Sequence, residues 1–138
     1  VHGAAVSPGK PFILASLGEK CLMGLPGHVT SALVTADLFL APLLRQMQGL
    51  APKQAAAMPA RLAHDASSPL GRRDFMRVCL ARDEDGAVRM QDGLPLVQAL
   101  RQPSGCISSL TRADGLVVCP EDRDGLHAGE ALDLLLLR

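Results

Sequence analysis

Two turns near the beginning of the chain, together with the patterns on either side of them, restrict its fold more than any other feature. The first turn is Pro-Gly-Lys-Pro at 8–11 and the second is Leu-Pro-Gly at 25–27. Two short apolar runs, 12–15 and 20–23, lie between the turns, and such runs are typical of buried strands. After the second turn, apolar residues recur at helical spacing from about 28 to 47. The stretch therefore predicts a strand, a tight turn and a helix.

The predicted helix contains one residue that a regular helix does not tolerate. Its apolar positions are Val29, Leu33, Ala36, Leu40, Leu43 or Leu44, and Met47. Pro42 lies among them. Because proline removes one backbone donor, we expect the helix to kink or to lose its regular form there.

The junction between the second turn and the helix is a candidate anion site. The first turn of a helix has free backbone N–H groups and the positive end of the helix dipole. Gly27 allows a ligand to approach these groups, and a phosphate is a typical ligand of such a junction. Lys10, on a turn stiffened by two prolines, is a candidate counter-charge. Each turn on its own is also common in loops that bind no ligand. The residues alone therefore leave open whether this junction is an anion site or an ordinary loop.

The second half of the chain has the pattern of a small all-β domain. Residues 49–54 contain Gly and Pro between periodic segments, which predicts a connector. Residues 83–86 have the composition of a hairpin turn. The predicted strands are 58–62, 75–81, 87–91, 106–110, 116–119 and 132–137. Five or six short strands at regular spacing favour a small barrel.

Arg77 is a second candidate for anion binding. Strand alternation places Phe75, Arg77, Cys79 and Ala81 on one face and Met76, Val78 and Leu80 on the other. An arginine between an aromatic ring and a thiol either snorkels from a half-buried surface or binds an anion. The residues alone favour snorkelling.

Composition excludes several functions. The chain has 14 basic and 14 acidic residues, three Phe and no Trp or Tyr, which argues against a nucleic-acid partner. We find no signal-peptide pattern and no apolar run of membrane-spanning length, so we expect no membrane partner. The four cysteines are scattered singly without metal-ligand spacing, which favours buried thiols in a reducing cytoplasm and predicts no metal site.

The motifs, in this order, carry a family resemblance. They are Pro-Gly-Lys-Pro at 8–11 and Gly-Leu-Pro-Gly at 24–27 with Ser31-Ala32, and they are followed by 71–77, 104–110, 113–116 and 128–130. Nearly the whole chain resembles the molybdopterin molybdotransferase family, which includes MoeA and the E domain of gephyrin. The resemblance implies an α/β plus all-β fold. It assigns 1–52 to the carboxyl-terminal part of an α/β molybdopterin-binding domain, with short strands and one long helix, and 53–138 to a small β-barrel domain.

The resemblance also implies an activity. The family inserts molybdenum from molybdate into adenylylated molybdopterin and releases AMP, with a divalent cation such as Mg²⁺. It implies catalytic roles for Lys10, Arg77 and Ser104. The residues implied to contact the pterin cofactor are Pro26, Gly27, His28 and Ser31. Arg77 and Ser104 are expected to face the pterin-binding domain of a partner subunit in a homodimer.

The resemblance further implies a cytoplasmic protein and a longer parent chain. The present chain begins at Val1 rather than Met, and we expect it to be a carboxyl-terminal piece. The acidic residues that hold Mg²⁺ would then lie in the missing part, and this chain alone would be inactive.

Four departures from the family pattern leave alternatives open. Many relatives have a basic residue at the position of Ser7, and some have another at that of Gly3. Relatives also usually have Asn and Pro at the positions of His28 and Val29. The favoured interpretation is a molybdotransferase. The alternatives are a non-catalytic paralogue that binds or escorts molybdopterin, and an assembly or dimerisation module.

Overall fold

The computed structural model describes residues 1–53, 55–100 and 107–136, and for 107–109 it describes the backbone alone. The elements are β1 (Val6–Ser7), β2 (Ile13–Leu17), β3 (Lys20–Gly24), α1 (Val29–Thr35), a π-helical segment (Ala36–Leu40), α2 (Ala41–Met47), β4 (Ala57–Leu62), β5 (Ala66–Ser67), β6 (Arg73–Leu80), β7 (Met90–Gln91), β8 (Leu94–Ala99), α3 (Ile107–Arg112), β9 (Gly115–Cys119), β10 (Gly125–Leu126) and β11 (Ala131–Leu136).

Five strands of the second half close into a barrel, as the sequence predicts. They follow one another in the order β6, β9, β11, β4 and β8, and β8 pairs back onto β6. These pairings are antiparallel except that of β4 with β8, which is parallel. Burial of apolar side chains inside this sheet is the main stabilising contribution. The interior consists of Ala60, Leu62, Ala66, Val78, Val97, Val117, Cys119, Leu126 and Leu134.

A second apolar cluster joins the first part of the chain to the outside of the barrel. Val6, Val34, Phe75 and Leu116 are buried together in it. In addition, β1 pairs in parallel with the beginning of β6. Backbone and side-chain contacts therefore both cross the boundary that the sequence predicts near residue 52.

The two apolar runs 12–15 and 20–23 form an antiparallel hairpin, β2 with β3. The prediction of strands is confirmed, but the prediction that they are buried is wrong for the described residues. Ile13 is 42 % exposed and Leu17 is 70 % exposed. Only the residue just before β2, Phe12, is firmly buried, and its ring stacks on Phe39 with centroids 4.5 Å apart.

The long helix is continuous from Val29 to Met47 but is not regular. At its centre, the N–H of Ala41 donates to the carbonyl of Ala36, five residues back, as in a π-helix. Pro42 follows directly. Because a proline ring collides with the carbonyl four residues back, a local widening of the helix accommodates it. The predicted irregularity at Pro42 is thereby confirmed.

The buried side of the first helical segment, α1, is mainly polar. Thr30, Ser31, Val34 and Thr35 are the buried residues of α1. By contrast, Leu33 is 55 % exposed, although it belongs to the predicted apolar stripe. Apolar spacing thus predicts the helix correctly but does not identify the side that faces the barrel.

One strand prediction is replaced by a helix. Residues 107–110 belong to α3, not to a strand over 106–110. Ile107 and Leu110 are three residues apart, a spacing that fits one side of a helix as well as a short apolar strand. Residue 106 lies outside the described residues.

Another strand was missed, and one is shorter than expected. The sequence analysis did not predict β8, whose second residue is Pro95, a residue that weakens strand signals. The predicted strand 87–91 is reduced to β7, Met90–Gln91, which pairs with β8. The turn before it is confirmed: the Asp83 carboxylate accepts from the N–H of Ala87 at 2.8 Å.

An ion pair fastens the loop between β10 and β11. Arg123 donates to both carboxylate oxygens of Glu130, at 2.5 and 2.8 Å, and the N–H of His127 donates to the same carboxylate at 3.0 Å. The hydrogen bonds from Arg123 are the main reason that the pKa of Glu130 falls from 4.5 to about 2.

This lowered pKa makes a prediction for acid stability. A carboxylate whose pKa is lower in the folded than in the unfolded chain stabilises the fold when the pH is above the pKa of the unfolded chain. For Glu130, this contribution disappears as the pH falls from 4.5 towards 2. We expect the urea midpoint of the native protein to fall across that range more steeply than that of Glu130→Gln. Equal slopes for the two proteins, measured by circular dichroism at each pH, would contradict the assignment. Asp133→Asn, an exposed carboxylate on β11, is the control.

Candidate functional site

The helix start lies at the surface. His28 precedes the helix in an extended conformation, with φ −76° and ψ 130°, and its side chain does not cap the helix. The first turn contains no acidic residue. Pro26 is buried, whereas Gly27 and His28 are exposed. A Cβ on Gly27 would have no described atom within 4 Å, so the space above this glycine is open. The geometry matches an approach route to the first-turn N–H groups.

The Pro-Gly-Lys-Pro turn lies against this helix. Gly9 has a φ of 139°, and a Cβ placed on it would lie 2.5 Å from Cγ2 of Thr35. The turn is closed by a hydrogen bond from the N–H of Phe12 to the carbonyl of Gly9, at 3.1 Å. Lys10 is exposed at the tip of the turn. Glycine is required at position 9 because any side chain would separate the turn from the helix.

Arg77 reaches the helix from the barrel. Alternation along β6 is as predicted: Val78 faces the barrel interior and Phe75 faces the helix. Arg77 lies on the same side as Phe75 and is only 9 % exposed. Its Nη1 lies 3.5 Å from Oγ1 of Thr30, which is fully buried in the first turn of α1. This Arg77–Thr30 contact is a long hydrogen bond, and both of its residues are held by rigid elements.

Within this chain, Arg77 contacts the helix that follows the Gly-Leu-Pro-Gly turn. The expectation that it also faces the pterin-binding domain of a partner subunit stays a prediction. The intrachain contact follows from the sheet topology. β1 pairs with β6 at Ser7 and Asp74, so the turn that follows β1 and the arginine on β6 are drawn to the same end of the barrel.

A small cavity of about 210 Å³ lies beside Arg77. Asp74 and Ser67 also line it. The Asp74 carboxylate accepts a hydrogen bond from Oγ of Ser68 at 3.1 Å. The wall of the cavity is therefore mixed, with one cationic and one anionic side chain beside apolar residues such as Met76.

The contact between helix and barrel opens out towards the other end of the helix. A cleft of about 800 Å³ separates the two there, with Leu38 and Pro42 on the helix side and Phe75 and Leu135 on the barrel side. Its lining is mainly apolar.

The structure brings most of the candidate residues to one end of the molecule. The turn with Lys10, the helix start with Pro26, Gly27, His28 and Ser31, and the barrel residue Arg77 are linked by the contacts of Gly9 with Thr35 and of Arg77 with Thr30. Ser31 itself is 5 % exposed, and its carbonyl accepts from Oγ1 of Thr35 at 2.8 Å. Ser104 lies outside the described residues. Sequence reasoning missed Thr30, whose only signal was a hydroxyl one residue away from the apolar stripe.

Metal binding has no support in the described part of the chain. There we find no group of three or more His, Cys, Asp or Glu side chains arranged to hold a metal ion. The residues present do not fit a Mg²⁺ site. Cys21, Cys79 and Cys119 are free thiols, and burial is the main cause of a raised pKa at Cys119. No described helix combines the length and apolar character that crossing a bilayer requires.

Comparisons with known proteins agree with the motif order. Residues 59–137, more than half of the chain, match the family model of the MoeA C-terminal region, domain IV. A putative molybdopterin biosynthesis protein of Methanocaldococcus jannaschii is 30 % identical over 139 residues, which cover 100 % of this chain and 30 % of that protein. The molybdopterin molybdenumtransferase of Haemophilus influenzae is 30 % identical over 132 residues, 94 % of this chain and 31 % of that protein.

A solved structure gives the same result. The molybdopterin biosynthesis MoeA protein from Pyrococcus horikoshii superposes with a TM-score of 0.75 at 35 % identity, covering 100 % of this chain and 32 % of that one. The chain thus spans about a third of the length of the relatives it matches. It belongs to the MoeA family and contains the C-terminal region, domain IV, of that family.

Proposed function

We propose that the protein acts in molybdenum cofactor biosynthesis as a molybdopterin molybdotransferase, which inserts molybdenum from molybdate into adenylylated molybdopterin. The observation that carries the proposal is the meeting of three anion-binding features at one end of the fold. These are the exposed helix start at Gly27, the turn with Lys10, and Arg77. Both substrates are anions, so the chemistry of the site fits them.

Each feature has a distinct part in the proposed mechanism. The N–H groups after Gly27 bind a phosphate of the pterin substrate, and His28 adds a donor beside them. Lys10 supplies a mobile point charge. Arg77, held on a rigid strand, binds an oxyanion through its planar guanidinium. Ser104 completes the proposed set of catalytic residues. These groups bind and orient substrates, and the molybdate transfer needs no nucleophile from the protein.

Mg²⁺ and a homodimer are part of the proposed function, but the described residues do not supply a Mg²⁺ site. The ligands of Mg²⁺ would have to come from other residues of the complete gene product. A cytoplasmic location would fit the three free thiols of the described chain.

Arg77→Ala tests the proposal. We expect AMP release from adenylylated molybdopterin in the presence of molybdate to fall roughly 10- to 100-fold, the effect of losing one or two charge-assisted hydrogen bonds. The complete gene product should be used, with melting temperature as a measure of folding. Arg73→Ala is the matched control, because Arg73 lies on the same side of β6 and its ion pair with Glu121 is long, at 4.0 Å, and exposed. Native-like AMP release from a folded Arg77→Ala protein would refute the proposal.

A second candidate, a paralogue that binds molybdopterin without inserting metal, is favoured by one observation. Gly3, where some relatives have a basic residue, has a φ of 90°, a backbone conformation that side chains rarely adopt. The backbone conformation at this position therefore disfavours a basic side chain. Pterin binding without molybdate-dependent AMP release would select this candidate.

A further inference from the structure

We propose that Thr30 is a positioning residue for Arg77: its hydroxyl oxygen fixes the orientation in which the guanidinium binds an oxyanion. The inference rests on the proposed function of Arg77. It concerns a residue that none of the motifs identifies, and it starts from the contact between Nη1 of Arg77 and Oγ1 of Thr30, 3.5 Å apart.

Arginine needs such a partner to act as a directional anion ligand. Its side chain is long and flexible, and its binding strength for oxyanions depends on the plane of the guanidinium. Arg77 is 9 % exposed, so water replaces few of the contacts that a protein acceptor provides.

Thr30 is well suited to fix that plane. It is fully buried, and it lies in the first turn of α1, which is covalently next to the exposed Gly27–His28 junction. Threonine is branched at Cβ, so its hydroxyl has few alternative positions. Oγ1 is therefore a rigid acceptor. The contact also connects the helix start to Arg77 on the barrel, so the distance between these two proposed anion-binding features stays constant.

The same helix offers a matched control. Thr35 is also fully buried, but its hydroxyl donates to the carbonyl of Ser31 within the helix. Thr35→Val therefore also replaces a buried hydroxyl by a methyl group, about one turn further along the helix, without removing the contact with Arg77. The methyl group that packs on Gly9 is retained in valine.

Binding of molybdate alone to the complete gene product, measured by calorimetry, tests the inference. We expect Thr30→Val to weaken binding roughly fivefold, the effect of losing one weak hydrogen bond to a charged group. Thr30→Ser keeps the hydroxyl and should stay within about twofold of the native protein, as should Thr35→Val. The same series with inorganic phosphate shows whether the effect belongs to oxyanions in general or to molybdate.

A spectroscopic measurement separates positioning from general stability. In ¹⁵N spectra of the arginine side chains, rotation of the Arg77 guanidinium should become faster in Thr30→Val and stay slow in Thr30→Ser and Thr35→Val. Equal rotation rates in Thr30→Val and the native protein would overturn the inference, as would a Thr30→Ser protein as weak as Thr30→Val. If Arg77→Ala weakens molybdate binding but Thr30→Val does not, only the role of Thr30 fails. If Arg77→Ala has no effect, the proposed function of Arg77 fails as well.

Discussion

Gly9→Ala is expected to lower the free energy of unfolding by about 3 kcal/mol or more, because it combines a strained backbone with a collision. Gly9 has a φ of 139°, and the new Cβ would lie 2.5 Å from Cγ2 of Thr35 and 3.0 Å from Cγ2 of Val6. Both neighbours belong to well-packed elements. The turn would have to leave the helix, and Lys10 would move with it.

Urea unfolding followed by circular dichroism measures this loss, and Gly27→Ala is the matched control. Gly27 has neither a positive φ nor a described atom within 4 Å of a new Cβ. We expect Gly27→Ala to change stability by less than about 0.5 kcal/mol. A Gly9→Ala protein as stable as Gly27→Ala would show that the turn is not held against the helix. If the N–H groups after Gly27 bind phosphate as proposed, Gly27→Ala should weaken pterin binding while leaving the fold intact.

Gly115→Ala is expected to destabilise the barrel by about 3 kcal/mol, because the obstacle is backbone rather than a movable side chain. A Cβ on Gly115 would lie 2.5 Å from the carbonyl oxygen of Leu135 and 2.6 Å from Cδ1 of Leu134. Gly115 begins β9, which is paired with both β6 and β11. Relief of the collision would require these strands to separate.

A double variant decides which contact matters. Leu134 is fully buried, and Leu134→Ala alone should cost about 2–5 kcal/mol. If the carbonyl oxygen of Leu135 dominates, the costs of Gly115→Ala and Leu134→Ala should add in the double variant. If the Leu134 side chain dominates, the double variant should be more stable than that sum. A Gly115→Ala protein with native stability would contradict both mechanisms.

Local patterns predicted those parts of the fold that depend on local interactions. Pro42 indicated an irregular helix because the collision of its ring is with a neighbouring turn. The hairpin turn at Asp83 could be predicted because its hydrogen bonds form within a few residues. The inward face of β6, with Val78, followed from simple alternation.

The errors arose where distant contacts determine the outcome. Leu33 and Ile13 are apolar and yet exposed, because burial depends on which surfaces the rest of the fold presents. Strand β8 has Pro95 near its beginning and is ordered by its pairing with β4, β6 and β7, which no local pattern reports. Strand spacing placed Arg77 on the correct face of β6, but the sequence did not show that this face meets Thr30, which is 47 residues away in the chain.

The pairing of β1 with β6 limits how the molecule can move. A single connector between two such units would normally act as a hinge and let the barrel swing away from the helix. Here β1 pairs with β6 at Val6 and Ser7, and the N–H of Arg73 donates to the carbonyl of Ala5 at 2.9 Å. A swing of the barrel would first have to break these hydrogen bonds, which form a second attachment. Because the barrel is attached to the helical part at two points instead of one, ligands should enter and leave the site near Lys10 through side-chain rotation. Lengthening the connector before β4 should therefore leave the exchange rates of the ligands unchanged.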